Sequence, residues 1–401
     1  MTVVIGRTPD ITRSSTMHNT SDRTTVAVIG AGVAGLALGN FLLRKGIGCV
    51  IVERHSRDHV EGRQRAGSLD GQGVRILGDW DLHEVVGDAV SHSAEPAVMP
   101  LYIDGRPQPW AFGDDEPGVF CPQQVLVRNL IGTFLRNGGD LRFGADDVAI
   151  DGIDGARPSV HYRDADGVSR RIGCEYVAGC DGDRGVSRTA IPAGVLTRYA
   201  HEHGFAWLAV LADVPADPPA VMAVHRRGFA AHITRGAGQS RFYLQCPLTD
   251  TLEHWPDTRI WSELEARFGR PVPAGPITDR QLVPLRGVVY SPMSFGRLFL
   301  LGDAAHIVSP MSAKGMSLAL HDADLFARAL SSTINDGDPE PLASYSDTCL
   351  RHTWDAQTGA VWITDVMHDA GDAAHAGAFR QQLARAELRR MLASAGAGNP
   401  F

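Results

Sequence analysis

Apolar and polar positions change period along this chain, and the changes mark out its elements. Thr25–Gly30 (TVAVIG) is continuously apolar, as a strand buried on both faces requires, and Leu36–Gly46 behind it has helical spacing. A second buried strand, Cys49–Val52, ends at Glu53. A third apolar run, Leu298–Leu301, stops at Gly302-Asp303, and a Pro/Ser/Gly loop then leads into a helical pattern over Leu318–Leu330. Helical spacing also covers 74–86, 123–137, 341–367 and 374–392. Alternation over Ala145–Ile150, Ser159–Arg163 and Arg170–Cys174 predicts an antiparallel crossover sheet leading to a buried strand at Glu175–Cys180. From Phe205 to Val283 the pattern becomes alternating strands with one short helix at Ile260–Phe268. The pattern predicts a mixed α/β protein, with buried strands and helices at both ends of the chain, alternating strands between them and helices towards the C-terminus.

Composition narrows the class. The 401 residues are 44% hydrophobic and 21% charged, with a net charge of −8, which suits a globular chain of two or three domains and argues against a nucleic-acid partner. Six cysteines without CxxC pairs, and no His clustering at zinc spacing, indicate neither a disulfide framework nor a metal site. A reducing cytoplasm follows as the default compartment. Residues 1–24 are polar, lack the apolar core of a signal peptide or membrane span, and read as a mobile tail.

The turns carry the chemistry. In Gly30-Ala31-Gly32-Val33-Ala34-Gly35, the first glycine makes the tight turn, Gly32 lets the backbone approach a pyrophosphate, and Gly35 allows helix and strand to pack closely. Glu53, eighteen residues beyond the last glycine, can accept from a ribose hydroxyl. At the other end, Asp303 can accept from sugar hydroxyls, and the amides around Gly315 would face an anion at a helix start. That combination suits a cofactor with a ribityl chain and a ring that becomes anionic. Arginines at 54, 57, 63 and 65 follow the second strand, where they can hold phosphates.

With GAGVAG (30–35), VER (52–54), GRQRAG (62–67), GCDGDRGVSR (179–188), PLR (284–286) and GDAAHIVSPMSAKG (302–315), the chain resembles the class A flavoprotein aromatic hydroxylases, specifically the 4-hydroxybenzoate 3-monooxygenase group. The resemblance spans residues 25 to 390. It implies an enzyme whose FAD is reduced by NADPH or NADH and reacts with O2 to a C4a-hydroperoxide that hydroxylates an activated aromatic ring. It also implies a Rossmann-like FAD-binding domain over 25–197 completed by 286–330, an antiparallel sheet substrate domain over 198–285, a C-terminal helical region over 331–401 and a homodimer. By position, Gly30, Gly32, Gly35, Glu53, Arg54, Arg65, Gln123, Asp303, Gly315 and Met316 match FAD contacts. Arg54, His59, Arg63, Arg184 and Arg286 fall at nicotinamide-nucleotide positions, where Arg184 replaces a histidine and His55 and His59 replace a glutamine and a tyrosine. Arg235 and Tyr243 match the carboxylate-binding pair, and Pro310 retains the carbonyl that accepts from the substrate 4-hydroxyl.

The departures concern the ring. Met222 stands where the family has the tyrosine that deprotonates the substrate, the second tyrosine of that relay would fall past Phe401, Ile233 replaces a serine, Met311 a threonine and Ser309 a proline. A pocket without the relay suits a ring activated by an amino group, such as 3-amino-4-hydroxybenzoate. The alternatives are 4-hydroxybenzoate itself, or an FAD-binding protein without hydroxylase activity. His225 and His232 are candidate replacement proton carriers.

Overall fold

The computed structural model describes residues 21–63, 67–87, 100–108, 118–215, 218, 220–235 and 238–395. Arg65 therefore lies outside the described residues, as do most of the N-terminal tail and the last six positions.

The first layer is a six-stranded sheet in the order Ser294–Phe295, Leu298–Leu300, Tyr176–Gly179, Val26–Ile29, Cys49–Glu53, Asp140–Phe143. All pairings are parallel except that of Ser294–Phe295 with Leu298–Leu300. The parallel strands Val26–Ile29 and Cys49–Glu53 are buried at every position, which is why they read as unbroken apolar runs. Helices Val33–Arg44, Gln123–Arg136 and Gly315–Ser331 cover this sheet with apolar faces built on Leu36, Phe41, Leu130, Phe134, Leu320 and Phe326.

A four-stranded sheet in the order Ser21–Arg23, Ser169–Gly173, Ser159–Arg163, Asp146–Asp151 flanks it. Ser21–Arg23 corrects the reading of residues 1–24 as tail. These polar residues carry no alternation, and the strand arises from parallel pairing with Arg171–Gly173, where backbone bonds outweigh side-chain preference. The helix read over 74–86 is also two pieces. Gly71–Asp79 starts earlier because Asp70 accepts from the Gly73 amide (2.9 Å), and Asp81 at φ 51° breaks it before a short 3-10 turn at His83–Val86.

The third sheet has eight strands, with Thr197–Ala212 and Ile277–Ser291 as long antiparallel ribbons at its heart. Their register shifts between Glu202 and Ala206. Alternation beyond that bulge sorts the side chains. Ala206, Leu208 and Val210 pack towards the Asp257–Phe268 helix, while Trp207, Ala209 and Leu211 face a cleft against the first layer. On the same face as Trp207 and Ala209, the sheet is covered beyond the cleft by the Tyr345–Asp369 and Ala378–Ala395 helices through Val366, Met367, Ala384 and Leu388. No helix among the described residues is long and apolar enough to cross a membrane.

Candidate active site

One continuous cleft of about 2470 Å³ runs between the parallel layer and the eight-stranded sheet. Glu53, Asp303 and Arg235, which come from far-apart segments, all line it. So do Gly30, Gly32, Arg54, Arg63, Gln123, Arg184, Met222, Ile233, Tyr243, Arg286, Pro310, Met311, Gly315 and Met316. Gly35 and His59 do not.

At the glycine-turn end, Gly30 has φ +102°, and a Cβ there would sit 2.5 Å from the Cys180 carbonyl. A Cβ on Gly35 would meet the Gly30 carbonyl at 2.0 Å, so Gly35 serves helix-to-turn packing rather than direct contact. Gly30→Ala combines a forbidden dihedral with a backbone clash and is expected to cost at least about 2 kcal/mol. Denaturant unfolding, with the FAD content of the purified variant, measures the loss. Glu53 is held rigid: its two oxygens accept from the Ala31 amide (2.8 Å) and the His55 amide (2.9 Å).

The Val33–Arg44 helix begins without a side-chain cap or an acidic residue in its first turn, and the Gly315–Ser331 helix likewise. Uncapped first-turn amides facing a cleft are anion sites, and they fit the two charged parts of FAD, the pyrophosphate and the reduced ring. Gly32, where a Cβ would meet nothing within 4 Å, leaves room for close approach.

Two further devices, whose partners sequence reading missed, tie the cradle together. Arg188 donates to the carbonyls of Gly182 (3.1 Å), Ala304 (2.8 Å) and Asp183, so the turn after Tyr176–Gly179 is clamped to the Gly302–Ala304 turn. Asp322, 1% exposed, accepts from the Gly302 amide (2.8 Å) and from His306 Nε2 (2.7 Å). Burial alone would depress the His306 pKa; the Asp322 carboxylate outweighs it and holds the imidazole above its ordinary value. Arg188 and His306 fall inside the quoted motifs and Asp322 does not, and only the fold shows what they hold.

Elsewhere in the cleft, Arg286 pairs with Asp183 at 2.5 Å. Arg54 Nε donates to His55 Nε2 (3.0 Å), and the His55 ring stacks on His59 at 4.1 Å, which places His59 behind the cleft wall. Burial lowers the His55 pKa despite Glu53 nearby.

At the ring end, Arg235 donates to Tyr243, lies 5.5 Å over the Phe120 ring, and has a buried Nη1 with no hydrogen-bond partner. Burial pulls its pKa down, with Tyr243 opposing and Arg241 adding to the fall. A desolvated guanidinium with an unanswered N–H is a socket for a carboxylate. Arg241, 3% exposed, stands on the same wall with Asp279 at 4.0 Å. Trp207, Met222, Ile233, Met311 and Val283 supply an apolar part of the wall, and Thr234, Gln239, Thr278 and Gln281 supply polar groups.

Neither candidate histidine reaches this pocket. His232 points to the other face, its Nε2 2.8 Å from the Pro218 carbonyl and its ring against Phe242 and Phe268, and His225 is also absent from the lining. Alternation puts His232 opposite to Ile233, which the strand period alone could have shown. The fold also gathers His201, His203 and Asp365, with potential ligand atoms within 4.8 Å of one another, where linear spacing offered no metal pattern. His203 Nδ1 and Asp365 Oδ1 hydrogen-bond at 2.8 Å, and this part-buried bond accounts for their pairing.

A glycine-turn strand and helix, an acid at the end of the second strand, a second uncapped helix start and a roofing antiparallel sheet together define a flavoprotein of the hydroxylase type. Comparison with known proteins is specific. The FAD binding domain family model matches residues 23–360. The p-hydroxybenzoate hydroxylase of Acinetobacter baylyi is 34% identical over 385 residues, covering 93% of this chain and 92% of that protein. A putative polyketide hydroxylase of Streptomyces coelicolor is 24% identical, covering 86% of this chain and 58% of that one. Among solved structures, p-nitrophenol 4-monooxygenase from Pseudomonas putida DLL-E4 superposes with a TM-score of 0.77 at 19% identity, covering 93% of this chain and 97% of that one. Aklavinone-11 hydroxylase in complex with FAD and aklavinone gives 0.73 at 19% identity, covering 87% and 70%. This chain belongs to the FAD-dependent aromatic hydroxylases, the class A flavoprotein monooxygenases.

Proposed function

We propose that this monooxygenase hydroxylates a benzoate bearing hydroxyl and amino substituents, with 3-amino-4-hydroxybenzoate as the specific substrate, at the carbon next to the carboxylate. The observation that carries this reading is the unpartnered Nη1 of Arg235 beside Tyr243, facing a wall in which Met222 and Met311 offer no acid or base. Among the described residues lining the cleft, Tyr243 is the one phenol and His55 the one imidazole, and His55 lies at the nucleotide end.

Bound FAD supplies electron storage and oxygen activation. Arg235 and Tyr243 bind the carboxylate, the Pro310 carbonyl accepts from the ring hydroxyl, and Trp207, Met222 and Met311 exclude water from the ring. A phenol of ordinary pKa near 10 is ionised only about one part in a thousand at neutral pH, so an unassisted phenol is a poor nucleophile here. An amino group donates its electrons without losing a proton. The amides of Gly315 and Met316 would favour negative charge on the cofactor ring by ~0.3–1 kcal/mol.

NADPH is the proposed reductant, with Arg54, Arg63, Arg184 and Arg286 along one stretch of the cleft as its phosphate contacts. A homodimer is proposed as well. Phe379 (83% exposed) and Leu383 (51%) lie four residues apart on the Ala378–Ala395 helix and suit burial against a second copy. A cytoplasmic setting agrees with six free, buried cysteines.

The 34% identity to a p-hydroxybenzoate hydroxylase favours a second reading, 4-hydroxybenzoate itself. An aerobic panel of benzoates, scored for NADPH consumed, product formed and oxygen-18 incorporated, separates the two. Tight coupling is expected only with amino-substituted members. Efficient hydroxylation of plain 4-hydroxybenzoate, with the amino analogues inert, would reject the first reading. A yellow protein that consumes no NADPH with any of them would reject both.

A further inference from the structure

Behind the ring pocket runs a buried chain of polar groups. Trp207 Nε1 donates to His368 Nε2 at 2.7 Å. His368 Nδ1 lies 2.7 Å from the Thr364 carbonyl, which can only accept, so Nδ1 carries the proton and the imidazole is neutral. Thr364 Oγ1 is 2.6 Å from the Ala360 carbonyl and 2.7 Å from Ser309 Oγ. Its one proton goes to the carbonyl, so Ser309 must donate to Thr364. The Ser309 carbonyl in turn accepts from Ser312 Oγ (2.9 Å) and the Ser312 amide (3.2 Å), which closes the Pro310–Ser312 turn.

Its four core members are shielded from solvent: Ser309 is 1% exposed, Trp207 5%, and Thr364 and His368 0%. The ends of the chain are opposite parts of one pocket, because Trp207 lines it from the sheet and Pro310 and Met311 line it from the turn. Both ends hang on the Tyr345–Asp369 helix, from residues one helical turn apart. Phe205 stacks on His368 at 4.4 Å and Phe229 lies at 4.6 Å, so the imidazole has no room to swing.

We propose that Thr364 and His368 are a positioning pair: through Ser309 and Trp207 they set the separation between the Pro310–Met311 turn and the indole, and with it the width of the slot that receives the aromatic ring. This rests on the reading of that slot as the benzoate site. It gives Ser309, which stands where the family has proline, a purpose. Proline fixes a turn by its ring, whereas serine fixes this one by its hydroxyl. Ser309 has φ −55° and ψ 131°, values proline also adopts, so the two solutions are interchangeable at the backbone.

The test uses the FAD-loaded full chain carrying Thr364→Val, Ser309→Ala, Ser309→Pro, the double variant Ser309→Ala/Thr364→Val, and His368→Phe, which keeps the ring stack. The first readout is amide exchange of Ser312 and Ala313 without substrate. Thr364→Val and Ser309→Ala are expected to accelerate it about tenfold, the double variant no further, and Ser309→Pro not at all. The second is KM for the accepted benzoate and product formed per NADPH. Thr364→Val, Ser309→Ala and His368→Phe are expected to raise KM about fivefold and divert NADPH to hydrogen peroxide, while Ser309→Pro restores coupling. Unchanged exchange in Thr364→Val, or Ser309→Pro behaving as Ser309→Ala, overturns the proposal, as does a lowered melting temperature with unaltered exchange and coupling. Because exchange is read without substrate, a benzoate panel that fails for the wild type defeats the substrate reading while exchange still decides whether the pair holds the turn.

Discussion

Arg235→Gln is expected to lower kcat/KM for the benzoate by two to three orders of magnitude, mostly through KM, while the purified protein keeps its FAD. The figure follows from the arrangement. The guanidinium is desolvated, leans on Tyr243 and Phe120, and retains one buried N–H without a partner. Removing one partner of a buried, hydrogen-bonded charge pair costs about 2–5 kcal/mol, and about 3–4 kcal/mol corresponds to that loss in binding. Arg235→Lys should rescue little, since an ammonium cannot offer two parallel donors to a carboxylate. Steady-state kinetics and flavin absorbance together test this. A variant with unchanged KM would mean that the substrate carboxylate is held elsewhere, Arg241 being the next cation on the wall.

Asp322→Asn is expected to cost about 3–5 kcal/mol of unfolding free energy and to release FAD, because it breaks a buried pair and loosens the Gly302 amide at the same time. The effect carries a pH signature. His306 has its pKa raised in the folded protein, so the stabilisation it provides is fully present below its unfolded value, near 6.5, and is lost as pH rises through the higher folded value. The difference between wild type and Asp322→Asn should therefore be largest at about pH 6 and shrink in alkaline buffer. Urea unfolding at a series of pH values measures it, and a difference that grows with pH would contradict the assignment.

These two sites differ in how far they could be read from the chain. The cofactor turn was legible because its parts are local: strand, glycines, helix and Glu53 fall within one unit whose spacing carries the geometry. Arg235 and Tyr243 were legible through the motif, yet the unanswered Nη1 that gives Arg235 its importance is a fact of burial. Asp322 lies in an otherwise ordinary helical pattern, and the Trp207–His368 bond joins positions 161 residues apart. No periodicity encodes such pairings, since they depend on which helix turn comes to rest behind which strand. Ser21–Arg23 is illegible for a related reason: a short polar edge strand is chosen by its neighbour's free backbone groups rather than by its own side chains.

Two ribbons, Thr197–Ala212 and Ile277–Ser291, pair from the Thr197↔Ser291 end to the Ala212↔Ile277 end, interrupted only by the shifts at Glu202/Ala206 and Leu211/Ala212, while lining both the Arg286 and the Trp207 parts of the cleft. There is accordingly no seam at which a recombinant chimera could exchange one recognition module for another without cutting that ladder. Retargeting this scaffold to a different aromatic acid is a matter of replacing inward-facing side chains one by one at 207, 222, 233 and 311, with the ribbons left intact.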